Sequence, residues 1–360
     1  LLHGVTASGK TEVYLRAARA AREAGGQTLV LVPEIALGSQ VVREFERRFG
    51  GRVGVLHSYL GVGQRRRNWE LARRGALDVV VGARSAVFAP LPALRLIVID
   101  EEQDPAYKQS EQLRYHGRDV AVRRAQMLGI PVVLGSATPS LESLANVARG
   151  KYVRLKLPER VDARPLPDVR VVDLKRAGVT NSLLSRPLRE ALALRLERKE
   201  QSVLFLNRRG HSHWTQCLAC GWVPKCPHCD ISLTLHVAPS EWRCHYCDHR
   251  EPGSTSCAQC GAKLLRYSGS GTQRVEKELA AAFPEARVLR LDADVARRSA
   301  ERPREVLAQF AKGEADVLLG TQMVAKGLDF PRVTLVGVLD ADVALHLPDF
   351  RAAERTFQLL

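Results

Sequence analysis

At 360 residues, 45% of them hydrophobic, the chain is long enough for two globular domains and a small insertion, and no run approaches the roughly 20 apolar residues of a membrane span. Lys and Arg outnumber Asp and Glu by 54 to 39, and the net charge of +15 suits a polyanionic partner. All eight cysteines fall between Cys217 and Cys260, which speaks for metal in a reducing compartment, the cytoplasm, and against the dispersed disulfides of a secreted chain.

Leu1 stands three positions before a glycine-rich loop with no secretory signal, so further upstream sequence is expected. Next come short β-branched runs at 27–32, 78–82, 96–100 and 131–135, which read as buried parallel strands. Amphipathic segments such as 12–25 and 38–49 lie between them, an alternation that predicts a doubly wound α/β domain. A less regular, proline-bearing stretch from about 156 to 185 joins it to a second series of runs at 202–207, 287–292, 316–320 and 333–338. The expected domains are therefore 1–175, then 176–214 and 263–360 as one interrupted α/β lobe, with a cysteine module at 215–262.

The first glycine-rich loop, Gly4-Val5-Thr6-Ala7-Ser8-Gly9-Lys10-Thr11, fits G-x-x-x-x-G-K-[ST] without mismatch. Such glycines let backbone N–H groups face phosphate oxygens, and the following helix start adds partial positive charge. Lys10 is expected to reach the β- and γ-phosphates and Thr11 to ligate Mg²⁺. A chance glycine-rich turn is the plainer alternative. Against it, the strand 96–99 delivers Asp100, Glu101 and Glu102 to the edge of the sheet where a nucleotide's Mg²⁺ needs a carboxylate. Asp100 is the expected metal-side acid, and Glu101 the group that polarises water. Three acids in succession would repel one another, so a bound cation is the expected compensation.

These motifs resemble those of the DExH-box helicases of superfamily 2. The resemblance implies two RecA-like doubly wound parallel-sheet lobes. It implies further that Gly135-Ser136-Ala137-Thr138-Pro139-Ser140 couples hydrolysis to DNA, through Gln103, Ser136 and Thr138. Loops 82–88 and 32–37 resemble the family's strand-tracking loops, which would place Arg84 and Ser85 on DNA phosphates. In the second lobe, Gly320-Thr321-Gln322-Met323-Val324-Ala325-Lys326-Gly327-Leu328-Asp329 resembles the family's fifth motif, with Gly327 and Asp329 toward ATP and Gln322 toward DNA. Residues 269–274 are a weaker phosphate-loop candidate. The family's arginine-bearing sixth motif is not found before Leu360, so the chain reads as truncated ahead of it and as slow in hydrolysis on its own. Arg351 and Arg355 read as a solvated helix face rather than as its substitutes.

Four Cys-x-x-Cys knuckles, Cys217/Cys220, Cys226/Cys229, Cys244/Cys247 and Cys257/Cys260, allow two four-thiolate Zn²⁺ sites in three pairings. Residues 231–243 read as a hairpin between the middle knuckles, which is zinc-ribbon spacing, while Cys220 and Cys226 are close together for knuckles facing one ion. The spacing therefore favours nesting, with Cys226, Cys229, Cys244 and Cys247 inside and Cys217, Cys220, Cys257 and Cys260 outside. Four sulfurs leave no open position, so both sites are expected to be structural. Trp222, Lys225 and Arg243 lend the module the character of a platform; a plain stabilising staple is the alternative.

The whole chain, zinc module included, resembles the bacterial replication-restart helicases of the primosomal protein N′ family. The stretches 11–14, 107–109, 114–116 and 349–355 carry the likeness along with the cysteines. This implies ATP-dependent 3′-to-5′ unwinding of forked and single-stranded DNA. It also implies partnership with single-strand DNA-binding protein, primosomal proteins and the replicative helicase loader. Gln103 stands where that family usually has His. Leu113 replaces an aromatic residue of a strand-sensing loop, leaving Tyr107 and Tyr115 to stack on bases. A non-hydrolysing fork-binding scaffold and a different superfamily 2 translocase are the competing readings.

Overall fold

The computed structural model describes the chain except residues 34–39, 59, 163–164, 166, 175–181, 207–214, 218, 230, 238–239, 264, 268–271, 293–294, 296–301, 322–329 and 347–348. It forms two compact units, Leu1–Pro167 and Asp168–Leu360.

The first unit is built on β1 (Leu2–Gly4), β2 (Gln27–Leu31), β3 (Val53–Leu56), β4 (Val79–Gly82) and β5 (Leu94–Ile99). A two-stranded hairpin, β6 (Lys108–Gln109) with β7 (Tyr115–His116), interrupts the series before β8 (Val132–Ser136) and β9 (Leu155–Leu157). The seven sheet strands run parallel in the order β3-β4-β2-β5-β8-β1-β9. Helices α1 (Lys10–Glu23), α2 (Gln40–Phe49), α3 (Val62–Arg73), α4 (Gly117–Leu128) and α5 (Leu141–Ala148) connect them.

Strands buried on both faces must be apolar at every position, and these are. Leu29, Leu31, Ile97 and Ile99 turn toward Ala72 of α3 and Ala121 and Ala125 of α4. Their alternates Val30, Leu96 and Val98 turn toward Tyr14 and Leu15 of α1 and Phe45 of α2. The sheet is thus doubly wound, as the alternation of runs predicts. Strands β1 and β9 escaped that reading because they are only 3 residues long, and β3, though as long as β4, because Gly54 breaks its apolar run.

The second unit carries a four-stranded parallel sheet, β16-β17-β10-β18, from β10 (Gln201–Leu206), β16 (Val288–Leu291), β17 (Val317–Gly320) and β18 (Val333–Leu339). Helices α6 (Arg186–Glu197) and α7 (Thr272–Ala282) cover one face through Leu192, Val275 and Leu279. Helix α8 (Arg302–Ala311) covers the other through Val306 and Phe310, and α9 (Ala352–Leu359) closes the described chain.

After β10 the cysteine module intervenes. Strands β11 (Thr215–Cys217) and β15 (Leu265–Tyr267) pair antiparallel at its base, and β12 (Thr234–Val237), β13 (Ser240–Arg243) and β14 (Arg250–Pro252) form a three-stranded meander. Its small core is Leu233 and Trp242 packed on Cys226 and Cys244, and Val223 meets Val343 of the lobe. Among the described residues no helix is long and apolar enough to cross a membrane.

Candidate nucleotide site, strand-facing edge and metal centres

The loop from β1 to α1 curls through two left-handed residues, Ala7 (φ 63°) and Gly9 (φ 85°). Gly9 caps α1 with no side chain, so the first N–H groups of the helix are left for an anion. A side chain at Gly4 would bring its Cβ within 2.4 Å of Ser8 Oγ, so only glycine lets the loop close this tightly. Lys10 Nζ donates to the carbonyls of Gly4 at 2.9 Å and Val5 at 3.2 Å, holding the loop in its curled form.

Asp100 and Glu101 follow β5, which pairs with β8 and through it reaches β1, the strand ahead of the phosphate loop. Tyr14 of α1 donates its hydroxyl to Asp100 Oδ1 at 2.9 Å. That hydroxyl passes so close to β8 that a Cβ on Gly135 would lie 1.6 Å from it. The Asp100 carboxyl is pushed up to about 6, first by burial and then by the charge of Glu101, while Tyr14 and Lys10 oppose the rise. Glu101 sits at φ 48°, a conformation costly for a residue with a Cβ. The turn is held by Glu102 N–H donating to the Gly135 carbonyl (3.0 Å) and Asp104 N–H to that of Glu101 (2.8 Å).

Glu102 corrects the sequence reading. It is fully buried, and the cation that compensates it is Arg118 of α4, whose Nη1 lies 2.9 Å from Oε2. Ser140 donates its backbone N–H and its hydroxyl to the same carboxylate, and Ser143 its hydroxyl. Burial alone would lower the Arg118 pKa, but Glu102 and Asp119 outweigh it and the guanidinium is held more firmly charged. Neither Arg118 nor Tyr14 was assigned a role from sequence. A buried arginine in a helix is not visible in a pattern of one chain; only the fold pairs it with Glu102.

The three residues expected to couple the site lie in one chain of hydrogen bonds. Gln103 Nε2 donates to Glu101 Oε2 (2.6 Å), Ser136 Oγ donates to Gln103 Oε1 (2.6 Å), and Thr138 N–H donates to Ser136 Oγ (2.9 Å).

Arg84 and Ser85 follow β4 at the carboxyl edge of the sheet. Arg84 Nη1 donates to the carbonyls of Ala106 (3.0 Å) and Lys108 (2.8 Å), which fixes the guanidinium beside a cavity of about 90 Å³ lined also by Ser58 and Ser85. Tyr107 is a second correction: it is wholly buried and donates its hydroxyl to the Asp100 carbonyl at 2.7 Å, so it has no face to offer a base. Tyr115 remains half-buried on the hairpin, its ring 5.2 Å from that of exposed Phe88 in an edge-to-face pair, and Leu113 is exposed beside them. Gln322, Gly327 and Asp329 lie outside the described residues, as do 269–271 and the loop positions 34–37. Arg355 is ion-paired with Asp349 and Arg351 with Glu354.

The cysteine sulfurs gather into two groups, Cys217, Cys220, Cys257 and Cys260, and Cys226, Cys229, Cys244 and Cys247, each with its ligand atoms within 4.8 Å of one another. This is the nested pairing. Contacts such as Cys217–Cys260 at 3.7 Å and Cys226–Cys247 at 3.5 Å match the roughly 3.8 Å between sulfurs at the corners of a tetrahedral Zn–S₄ site with 2.3 Å bonds. Each knuckle turns through a backbone hydrogen bond, such as Gly221 to Cys217 and Gly261 to Cys257. Backbone N–H groups also point at sulfur, from Tyr246 to Cys244 and from Gln259 to Cys257, both at 3.4 Å. Burial opposes ionisation of Cys217 and Cys244, yet the backbone N–H groups of Cys220 and Ala219 on the first, and of Cys247 and Tyr246 on the second, bring both thiols down to about 7. Cys229 is instead pushed up to about 12 by the neighbouring thiols, Cys247 first. A group that resists its own last deprotonation is one that a divalent cation would complete.

The parallel lobes, the phosphate loop and the acid turn are those of helicase-type domains: residues 1–147 match the DEAD/DEAH box helicase family, and 260–353 the helicase conserved C-terminal domain. Residues 226–252 match the Cys-rich region domain of the PriA DNA helicase. The chain is 51% identical over 363 residues to the replication restart protein PriA of Bacillus subtilis, covering 100% of this chain and 45% of that protein. It is 46% identical over 372 residues to that of Synechocystis, covering 100% and 44%. The chain belongs to the PriA family, and it spans about half the length of these relatives. Among solved structures, its fold is shared with RecG bound to a three-way DNA junction (TM-score 0.51, 18% identity, 93% of this chain and 35% of that one). It is shared too with the DUF1998 helicase MrfA bound to DNA (TM-score 0.52, 15% identity, 94% and 42%).

Proposed function

We propose that the chain is the motor portion of an ATP-driven 3′-to-5′ DNA helicase of the cytoplasm, acting at abandoned or stalled replication forks and directing primosome assembly there. Its proposed partners are forked and single-stranded DNA, single-strand DNA-binding protein, primosomal proteins and the replicative helicase loader. Family membership supports the role. The observation that carries the motor reading is the hydrogen-bond chain from Glu101 through Gln103 to Ser136, which ties the acid turn to the loop after β8.

The residues fit ATP with Mg²⁺. The phosphates would lie against the N–H groups of residues 4–11 and the start of α1, and Lys10 would exchange its two carbonyl partners for phosphate oxygens. Thr11 and Asp100 would hold Mg²⁺, which when bound supplies positive charge against that developing on the transferring phosphoryl group. Asp100 must then be ionised, and Tyr14 holds the oriented carboxylate with one oxygen already satisfied. Glu101 would orient the attacking water and accept its proton, and any change in its position is felt at Gln103 and Ser136. Gly327 and Asp329 toward the nucleotide, and Arg84, Ser85, Tyr115 and Gln322 toward DNA, complete the proposal. Two Zn²⁺, each on four thiolates, would serve as structural ions, with no open coordination position.

ATP hydrolysis by the full-length protein, measured with and without forked DNA, tests the reading. DNA should stimulate turnover, and Lys10→Ala should abolish it; equal turnover in the Lys10→Ala protein would defeat the assignment.

A further inference from the structure

Helix α3 begins Val62-Gly63-Gln64-Arg65-Arg66-Arg67, and the three arginines are all exposed. Several other exposed arginines of this unit are matched with acids, Arg16 with Glu12, Arg47 with Glu44, Arg52 with Asp78, and Arg73 and Arg74 with Glu70, while the scattered Arg95, Arg114 and Arg149 stand singly. Among the described residues the side chains of Arg65, Arg66 and Arg67 have no ion pair or hydrogen bond. At 100° per residue they fan over roughly 200° of the helix surface, a broad cationic face that repels itself and is left without protein counter-charge.

The position of this face is set by strand register. Leu56 at the end of β3 pairs with Gly82 at the end of β4, so the loop into α3 and the loop carrying Arg84 and Ser85 leave the same sheet edge. About 4.8 Å, one strand spacing, separates the two exits. Ser58 from the first loop and Arg84 and Ser85 from the second line one cavity of about 90 Å³, room for a single phosphate group and too narrow for a duplex. Asn68 donates to the Val55 carbonyl at 2.8 Å and pins α3 to β3, so the cationic turn is held in place. Gly61 caps the helix without a side-chain acceptor, so the first-turn N–H groups add to the same field.

We propose that the first turn of α3 extends the strand track outward from Arg84 and Ser85, with Arg65, Arg66 and Arg67 holding phosphates of single-stranded DNA. This rests on the DNA-motor reading above and adds to it a surface that no helicase motif of the sequence covers. The contacts are to backbone phosphates and are therefore indifferent to sequence.

The test is the salt dependence of affinity for a single-stranded oligonucleotide, compared between the protein and its Arg65→Gln, Arg66→Gln, Arg67→Gln triple variant. Three lost phosphate contacts should make the log–log slope shallower by about 2 and weaken Kd roughly a hundredfold at about 0.1 M salt. A control triple with the same charge change at paired arginines, Arg16→Gln, Arg73→Gln and Arg74→Gln, should leave the slope nearly unchanged. If the triple variant unfolds, each single substitution should still cost about 0.7 in slope. An unchanged slope, a loss equal to that of the control, or a loss seen with duplex DNA alone would overturn the proposal. If instead the unaltered full-length protein shows no DNA-stimulated ATP hydrolysis, the motor reading itself has failed.

Discussion

Ser136, at the end of β8, donates its hydroxyl proton to the side-chain carbonyl of Gln103 across 2.6 Å. The Gln103 amide is thereby forced to turn its NH₂ toward Glu101, a carboxylate that can only accept, and the same serine oxygen receives Thr138 N–H. Glutamine here is a two-way connector that donates at one end and accepts at the other. Removing it by Gln103→Ala should cut DNA-stimulated ATP turnover by about 10- to 100-fold, the equivalent of one charge-assisted hydrogen bond of about 1.5–3 kcal/mol. Basal turnover should fall less. Gln103→His should restore much of the stimulation, because a neutral imidazole also donates from one nitrogen and accepts at the other. Steady-state hydrolysis with and without DNA reads both; equal losses in the two conditions would sink the coupling role.

Asp100 carries a cost that function requires. Its folded pKa of about 6 lies above the ordinary value of 3.8, so ionisation opposes folding. The sign follows: no penalty exists below about pH 4, where the group is protonated folded and unfolded. The penalty grows as pH rises from about 4 to about 6 and is complete above that. By linkage it amounts to something on the order of 2–3 kcal/mol. Asp100→Asn should therefore raise the melting midpoint of metal-free protein at pH 7.5 by about 5 °C while removing Mg²⁺-nucleotide turnover. The gain should vanish near pH 4, which scanning calorimetry at several pH values would show.

Both the lobes and most of this site were legible in the sequence, for physical reasons that also mark where legibility stops. A parallel strand buried on both faces announces itself as an apolar run, so β2, β4, β5, β8 and β10 could be read directly, whereas β1 and β9 are too short to carry a pattern. Cysteines separated by a hairpin revealed their nesting because spacing limits which knuckles can face each other. Tyr107 was misread because a tyrosine in a polar loop looks alike whether its ring faces solvent or the core, and only packing distinguishes the two. Glu102 was grouped with Asp100 and Glu101 by adjacency, yet its side chain points to α4, and the arginine that meets it is 16 residues away.

That pairing has its own consequence. Glu102 is fully buried and Arg118 nearly so, and removing the cation strands a carboxylate that Ser140 and Ser143 alone must satisfy. Arg118→Met should destabilise the first unit by about 3–5 kcal/mol, as expected for a buried pair that loses one partner. Adding Glu102→Leu should recover most of the loss, since the uncompensated charge goes with it. Denaturant melts of the single and double variants make the comparison; a double variant no more stable than the single would show that the pair is not what the unit depends on.

The nested arrangement of the two metal centres gives the sharpest contrast between alternatives. The sulfurs of Cys217 and Cys260 belong to one cluster and those of Cys226 and Cys247 to the other. Replacing Cys217 and Cys260 together by serine should therefore remove one zinc per chain and leave one, since both changes fall on a single ion. Replacing Cys217 and Cys226 together should damage both centres and leave close to none. Were the knuckles paired in chain order instead, the two results would be exchanged, because Cys217 and Cys226 would then share an ion. Elemental analysis of the purified variants after dialysis against a weak chelator counts the ions. The outer cluster closes a loop of 44 residues from Cys217 to Cys260 at the base of the module, where β11 pairs with β15. Its loss should loosen the pairing of β11 with β15 more than loss of the inner cluster does, with limited proteolysis of the module as the readout.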